Sequence, residues 1–342
     1  MKLSKVCAVG LVALCVAGSL YAGGGKQSGS TAAPKAITIR VGDNWADNTP
    51  MAMAIDQVFK PEIEKASNGQ LVVEVYHSGQ LGNEAELWNQ VRNGTVEITV
   101  PGSVMNTEWS PMLISDWPFL YRDIQHAKKV WTDSDIPVQL NKEFHDKFPT
   151  TYLLSWGPNS ARTFTSNKPL TTPEDFQGQK FRMPSNEIHV GITQDLGASA
   201  QVIPLNELFS ALETGIVDGQ DNGMVTVRGQ GFYEVQKYLY ETNHIIATLE
   251  IIVNAGFYDK LTADQQKILA DAAQSTAVKA WDLYINSLDA DRQFLRDNGM
   301  TVTQTTPDDQ AAIQQAIQPT LDKLFSKYDW AKGLTERVKA VR

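Results

Sequence analysis

Arg162 and Arg182 lie in two settings that suit a carboxylate, Ser160-Ala161-Arg162-Thr163-Phe164-Thr165 and Lys180-Phe181-Arg182-Met183-Pro184. A guanidinium is planar, keeps its charge when desolvated and grips both oxygens of a carboxylate, so the pair predicts an anionic ligand. Further along, Leu212 to Gly223 reads as a helix end, a short apolar run and a polar turn that brings Asn222 to the same cleft. Each residue has a plainer alternative. Arg182 would otherwise form a surface ion pair with Asp175 or Glu187, worth at most about 1 kcal/mol. Arg162 would otherwise bond a backbone carbonyl, and Asn222 would only accept a left-handed turn conformation.

Those side chains need elements to aim them. Ile37 to Asp43 reads as a strand, Pro50 to Lys65 as a helix, Leu71 to His77 as a strand, Asn83 to Arg92 as a helix and Val96 to Val100 as a strand. Strand and helix alternate, which predicts a parallel sheet with crossover helices. Ligands bind beyond the carboxyl ends of such strands, which places Asn44, Trp45 and Glu84 near a cleft. Glu84 is equally well read as a first-turn residue favoured by the helix dipole. A second alternating block holds Tyr152 to Trp156 and Lys180 to Met183 as strands and Pro204 to Glu213 as a helix. On the short strand Phe181 and Met183 share one face, so packing them turns Arg182 to the other. Thr262 to Gln265 resembles a capping box, and no Pro or Gly follows until Gly299. That predicts one helix roughly 50 Å long, enough to span two domains, with two helices and an unmarked break as the lesser alternative.

Met1 to Ala22 carries Lys2 and Lys5, an apolar run from Val6 to Ala17 and a small-residue end, the pattern of a signal peptide for export to the periplasm. Residues 23–35 read as a flexible linker. Both cysteines, Cys7 and Cys15, fall in the first segment, so the mature chain has no disulfide. Lipidation at Cys15 is the lesser alternative, because Leu14 before it is bulky. The formal net charge is −9, and losing Lys2 and Lys5 takes it to −11. An acidic surface excludes nucleic acid as a partner, so any cationic clamp must be local and buried.

Nothing in the chain calls for a cofactor, a metal or a catalytic group. His77, His126, His145, His189 and His244 are scattered without metal-ligand spacing. There is no nucleophile elbow and no phosphate loop. Asp218 and Asp221 form a conceivable carboxylate pair, but a tight turn around Gly219 is the simpler reading. The tryptophans Trp45, Trp109, Trp117 and Trp156 read mainly as core, with one of them a possible pocket wall.

Several runs taken together resemble a known family. They are Ser78-Gly79-Gln80-Leu81-Gly82, Trp117-Pro118-Phe119-Leu120, Pro204-Leu205-Asn206-Glu207, Asp218-Gly219-Gln220-Asp221-Asn222, Phe232 to Tyr238 and Thr242-Asn243-His244, with both arginine segments. In this order they are similar to the solute-binding proteins of tripartite ATP-independent periplasmic (TRAP) transporters, the DctP family.

The resemblance implies an α/β protein of two lobes joined by hinge strands, with a long domain-spanning helix and a ligand held between the lobes. Lobe I is expected at 36–159 plus 248–287 and lobe II at 160–247 plus 288–342. It implies that Arg182 makes the main salt bridge to the ligand carboxylate, with Arg162 and Asn222 as further contacts and Glu84 and Asn44 reaching in from the other lobe. The sialic-acid branch has an acidic residue and an arginine where this chain has Gly102 and Met105, and an asparagine where it has Ser185, which implies a different organic acid. The implied role is capture of a sugar acid or C4-dicarboxylate for integral membrane TRAP permease subunits. A periplasmic sensor subunit is the alternative, and a secreted enzyme on organic acids a lesser one.

Overall fold

The computed structural model describes residues 36–102 and 104–342; the expected signal peptide, linker and both cysteines lie outside the described residues. Its strands are β1 (Ile37–Asp43), β2 (Leu71–Tyr76), β3 (Ile98–Val100), β4 (Thr151–Ala161), β5 (Thr163–Ser166) and β6 (Lys180–Met183), followed by β7 (Ser199–Val202), β8 (Gly219–Asn222), β9 (Tyr238–Glu241), β10 (Ile246–Asn254) and β11 (Thr301–Gln304). They form two sheets, ordered β2-β1-β3-β10-β4 and β11-β9-β5-β8-β6-β7.

The expected parallel sheets are mixed. β1 runs parallel to β2 and β3, but β10 is antiparallel to both β3 and β4. In the second sheet β6, β7 and β8 are parallel, while β5 is antiparallel to β8 and β9. The cause is that the chain crosses between sheets twice. β4 passes into β5 with only Arg162 between them, and β9 returns through Thr242–Ile245 into β10. The two crossing strands β4 and β10 pair from Ile246 opposite Ala161 to Asn254 opposite Thr151, with a bulge that sets Asn159 out of register beside Thr248. Bulges re-aim side chains, and here both residues face the cleft described below.

Local sequence explains the elements between. Asn83 caps the helix Glu84–Asn93 in a capping box with Glu86, as the start of an acidic first turn requires. The helix expected from Pro50 contains a π-helical turn, Ile55–Phe59, between Pro50–Ala54 and Lys60–Ala66. Pro61 has no N–H to give the preceding turn, so the ladder widens ahead of it. Thr262 and Gln265 close the predicted box, and the helix Ala263–Asp297 runs 35 residues unbroken. It buries Ala272, Ala273, Ala277, Ala280 and Trp281 and packs on both β4 and β11, so it spans the two sheets. Small alanines let it lie close against the crossing strands.

Candidate ligand-binding cleft

Phe181 and Met183 on β6 are fully buried in the core, and the alternation of the strand sends Arg182 to the opposite face. Arg182 is 4% exposed, and its Nε donates to the Ile203 carbonyl at 2.7 Å. Its guanidinium has no ion-pair partner among the described residues. The surface pairs considered from sequence do not form, because Asp175 accepts from Thr171 and Thr172 while Glu187 pairs with Lys327 at 2.7 Å. Burial, with Arg162 nearby, pushes the Arg182 pKa down to about 10, against the opposing pull of Glu84 and Asp221. It stays charged at neutral pH, an uncompensated cation out of bulk water.

Arg162 stands in a different state. It occupies the crossing from β4 to β5, its own N–H donating to the Ile245 carbonyl at 2.7 Å. Its Nε donates to Asp221 Oδ1 at 2.9 Å, and a second guanidinium nitrogen donates to the Asp221 carbonyl. The backbone-carbonyl alternative is therefore realised together with a salt bridge. The segment Gly219–Asn222 is not a turn but the buried strand β8, antiparallel to β5 and parallel to β6. Gly219 is needed for close approach rather than for turn geometry, since a Cβ there would lie 2.0 Å from the Thr165 carbonyl oxygen. Asp218 faces outward to Lys168, so it and Asp221 do not act as a pair.

Asp221 is the hub of a buried network. Its second oxygen meets His189 Nδ1 at 2.7 Å and lies 3.7 Å from His244 Nε2. Burial would raise its pKa, but Arg162, His244 and His189 outweigh it and hold the carboxyl well below the usual range. His189 reaches Asp116 Oδ1 at 3.4 Å through its other nitrogen. Burial and Arg162 push the imidazole down, yet the two aspartates hold its pKa above the ordinary histidine value. His244 is stacked on Phe164, and burial keeps its pKa low.

The cleft has two connected chambers. An inner one of about 40 Å³ is lined by Trp45, Glu84, Asp116, Asn159, Arg162, Arg182, His189, Asn222 and Thr248, among others. An outer one of about 120 Å³ is more apolar, with Val104, Val202, Ile203 and Leu205 beside Asn44, and it shares Arg182 and Glu84 with the first. The structure thus brings all five expected residues, Arg162, Arg182, Asn222, Glu84 and Asn44, to one cleft. Asn222 donates to Gln220 Oε1 at 2.6 Å, and Asn44 donates to the Gly82 carbonyl at 3.1 Å while its buried Oδ1 has no partner. Glu84 has no hydrogen-bond donor among the described residues, and burial raises its pKa against the pull of Arg182 and Arg162. Of the tryptophans, Trp45 is the one that lines the chamber, fixed by its indole donating to the Val100 carbonyl at 2.8 Å.

Asp116, His189, Asn159 and Thr248 also line the chamber and were not singled out from sequence. Asn159 and Thr248 owe their position to a bulge, which leaves no local signature. Among the described residues there is no cluster that would hold a metal ion and no helix long and apolar enough to cross a membrane.

Comparison with known proteins agrees with this geometry. A TRAP periplasmic solute-binding protein from Haemophilus influenzae, solved with bound L-gulonate, is 30% identical, with a TM-score of 0.85 over 89% of this chain and 99% of that one. The sugar acid binding protein DctPAm from Advenella mimigardefordensis, in complex with galactonate, is 26% identical, with a TM-score of 0.85 over 90% of this chain and 99% of that one. The C4-dicarboxylate-binding periplasmic protein DctP of Rhodobacter capsulatus is 29% identical over 85% of this chain and 87% of its own. The sequence profile of the bacterial extracellular solute-binding protein family 7, DctP, matches residues 41–328. The chain belongs to that family, as a binding protein and not an enzyme.

Proposed function

We propose that this chain captures a sugar acid between its lobes and delivers it to the membrane permease of a TRAP transporter. The observation that carries the proposal is Arg182, a buried guanidinium with no carboxylate paired to it among the described residues. Burying a charge without a partner costs several kcal/mol, and an anionic ligand supplies the partner. Arg162 and Asn222 flank it, and Glu84 with the open Asn44 Oδ1 provides acceptors for ligand hydroxyls. The gulonate and galactonate bound to its structural relatives support the same class.

Lobe I is taken as 36–159 plus 248–287 and lobe II as 160–247 plus 288–342, turning about β4 and β10. Contacts that then cross between lobes beside the cleft include Gln230 to the Asn44 carbonyl at 3.1 Å, Asn106 to the Ser185 carbonyl at 3.1 Å and Asn186 to Asp116 at 2.9 Å, and these would part on opening. A ligand bridging Arg182 and Glu84 joins the same two lobes, so its binding favours closure. Residues 1–22 are read as the export signal and 23–35 as a tether. The test is titration of the refolded, ligand-stripped protein with hexonates and their neutral sugars. Arg182→Ala should cost about 3 to 5 kcal/mol of affinity, two to four orders of magnitude. A loss below about threefold would remove Arg182 from the site.

A further inference from the structure

Two guanidinium groups and one imidazole line the inner chamber, and two of the three are already matched. Arg162 is paired with Asp221, and His189 sits between Asp221 and Asp116. Arg182 is the single cation of the chamber without an acidic partner among the described residues. Part of the lining forms an acidic wall. Glu84, at the start of the helix Glu84–Asn93, lines both chambers, and Asp116 lines the inner one, fixed by Asn186 at 2.9 Å. Glu250 on β10 is fully buried, accepts from Thr248 at 2.8 Å through one oxygen and has no partner for the other among the described residues. Burial holds the Glu250 carboxyl well above the usual range, and Asp116 and Glu84 add to the rise.

We infer that this wall admits an acid with one carboxylate and rejects a second. Arg182 neutralises the first, whereas a second would face Glu84 and Asp116 with no cation left to meet it. Burial raises the Glu84 pKa because a carboxylate is desolvated here, and a second ligand carboxylate would meet the same desolvation with no cation of its own. Like charges set opposite each other across a desolvated contact are strongly disfavoured. The preferred class is therefore a polyhydroxy monocarboxylate, over both the aldarate of the same carbon skeleton and the C4-dicarboxylates. This inference rests on the reading of the cleft as an organic-acid site.

The test is calorimetric titration of the full-length mature protein, stripped by unfolding and refolding, with galactonate, galactarate and malate. Galactarate differs from galactonate by a carboxylate in place of the terminal CH2OH. The expected result is that galactonate binds at least about thirtyfold more tightly than either diacid. In Glu84→Gln, which has similar shape and offers a donor, the galactarate gap should narrow by at least about threefold, chiefly through tighter galactarate binding. Asp116→Asn serves as the second variant and should narrow it in the same direction. Equal wild-type affinity for galactonate and galactarate would overturn the inference while leaving the organic-acid reading intact, as would a gap unmoved in both variants. Failure of all three acids to bind the wild type would instead remove the organic-acid reading, and this inference with it.

Discussion

Arg162 and Arg182 share a residue type, a cleft and an exposure of 4%, yet they stand in opposite electrostatic states. Arg162, at the crossing of β4 into β5, is closed by Asp221, which is itself held by His189. Arg182, on β6, is anchored through Nε alone and turns the rest of its charge toward the chamber. The difference teaches that burial by itself does not mark a ligand contact. Folding has met the charge of Arg162 with a partner, and on the proposed function that of Arg182 is left for the ligand. On that proposal the first arginine belongs to the rigid frame of the site and the second to its specificity.

The sharpest way to break this comparison is to exchange each arginine for methionine and measure affinity and ligand-free stability together. Arg182→Met should weaken hexonate binding by two to four orders of magnitude, about 3 to 5 kcal/mol, with the ligand-free urea midpoint unchanged or higher. Arg162→Met should lower ligand-free stability by roughly 3 kcal/mol, because Asp221 keeps only histidine partners in a buried setting. If both substitutions destabilised the free protein equally, the division of labour argued here would not exist.

Much of this arrangement was readable before any coordinates, and the exceptions have physical causes. The short strand Lys180–Met183 was legible because two large apolar residues flank one charge, and period-two alternation leaves that charge one direction to point. The long helix was legible because its capping box and its freedom from Gly and Pro are local facts. The state of Arg162 was not, since it depends on Asp221, far along the chain, and the Asp-Gly-Gln-Asp-Asn run has the composition of a turn. Its pairing between β5 and β6, with Gly219 packed against Thr165, shows it to be a central strand. His189 was passed over for the same reason: its partners Asp116 and Asp221 lie on separate elements, and a lone histidine on an apolar helix carries no signal. Asn44 and Glu84 came from the rule for the carboxyl ends of parallel strands, which held for β1 although the sheet as a whole is mixed.

Smaller effects test the frame around Arg162 through pH. Asp221 has a depressed pKa, so it contributes stability that is present above its unfolded value of about 3.9 and lost as pH falls through its folded value. Asp221→Asn should be less stable than wild type at pH 7, with the gap in urea midpoint shrinking as pH drops below about 4. A gap that stays constant would mean that the carboxylate charge is not what binds the network.

The smallest effect is expected at His189, where the sign runs the other way. Its folded pKa is raised, so its contribution is complete below the unfolded value of about 6.5 and is lost as pH rises through the folded value. The imidazole meets Asp221 through Nδ1 and Asp116 through Nε2, while burial and the charge of Arg162 oppose its protonation, and this opposition keeps the net gain modest. Glu250, also raised, drains stability in the same direction as pH climbs, so the wild-type curve alone does not isolate the histidine. The difference between wild type and His189→Gln does, because Glu250 is common to both. That difference should favour wild type at pH 6 and decline toward pH 9, and a difference that grew with pH would show that His189 is held neutral and that Asp221 depends on Arg162 alone.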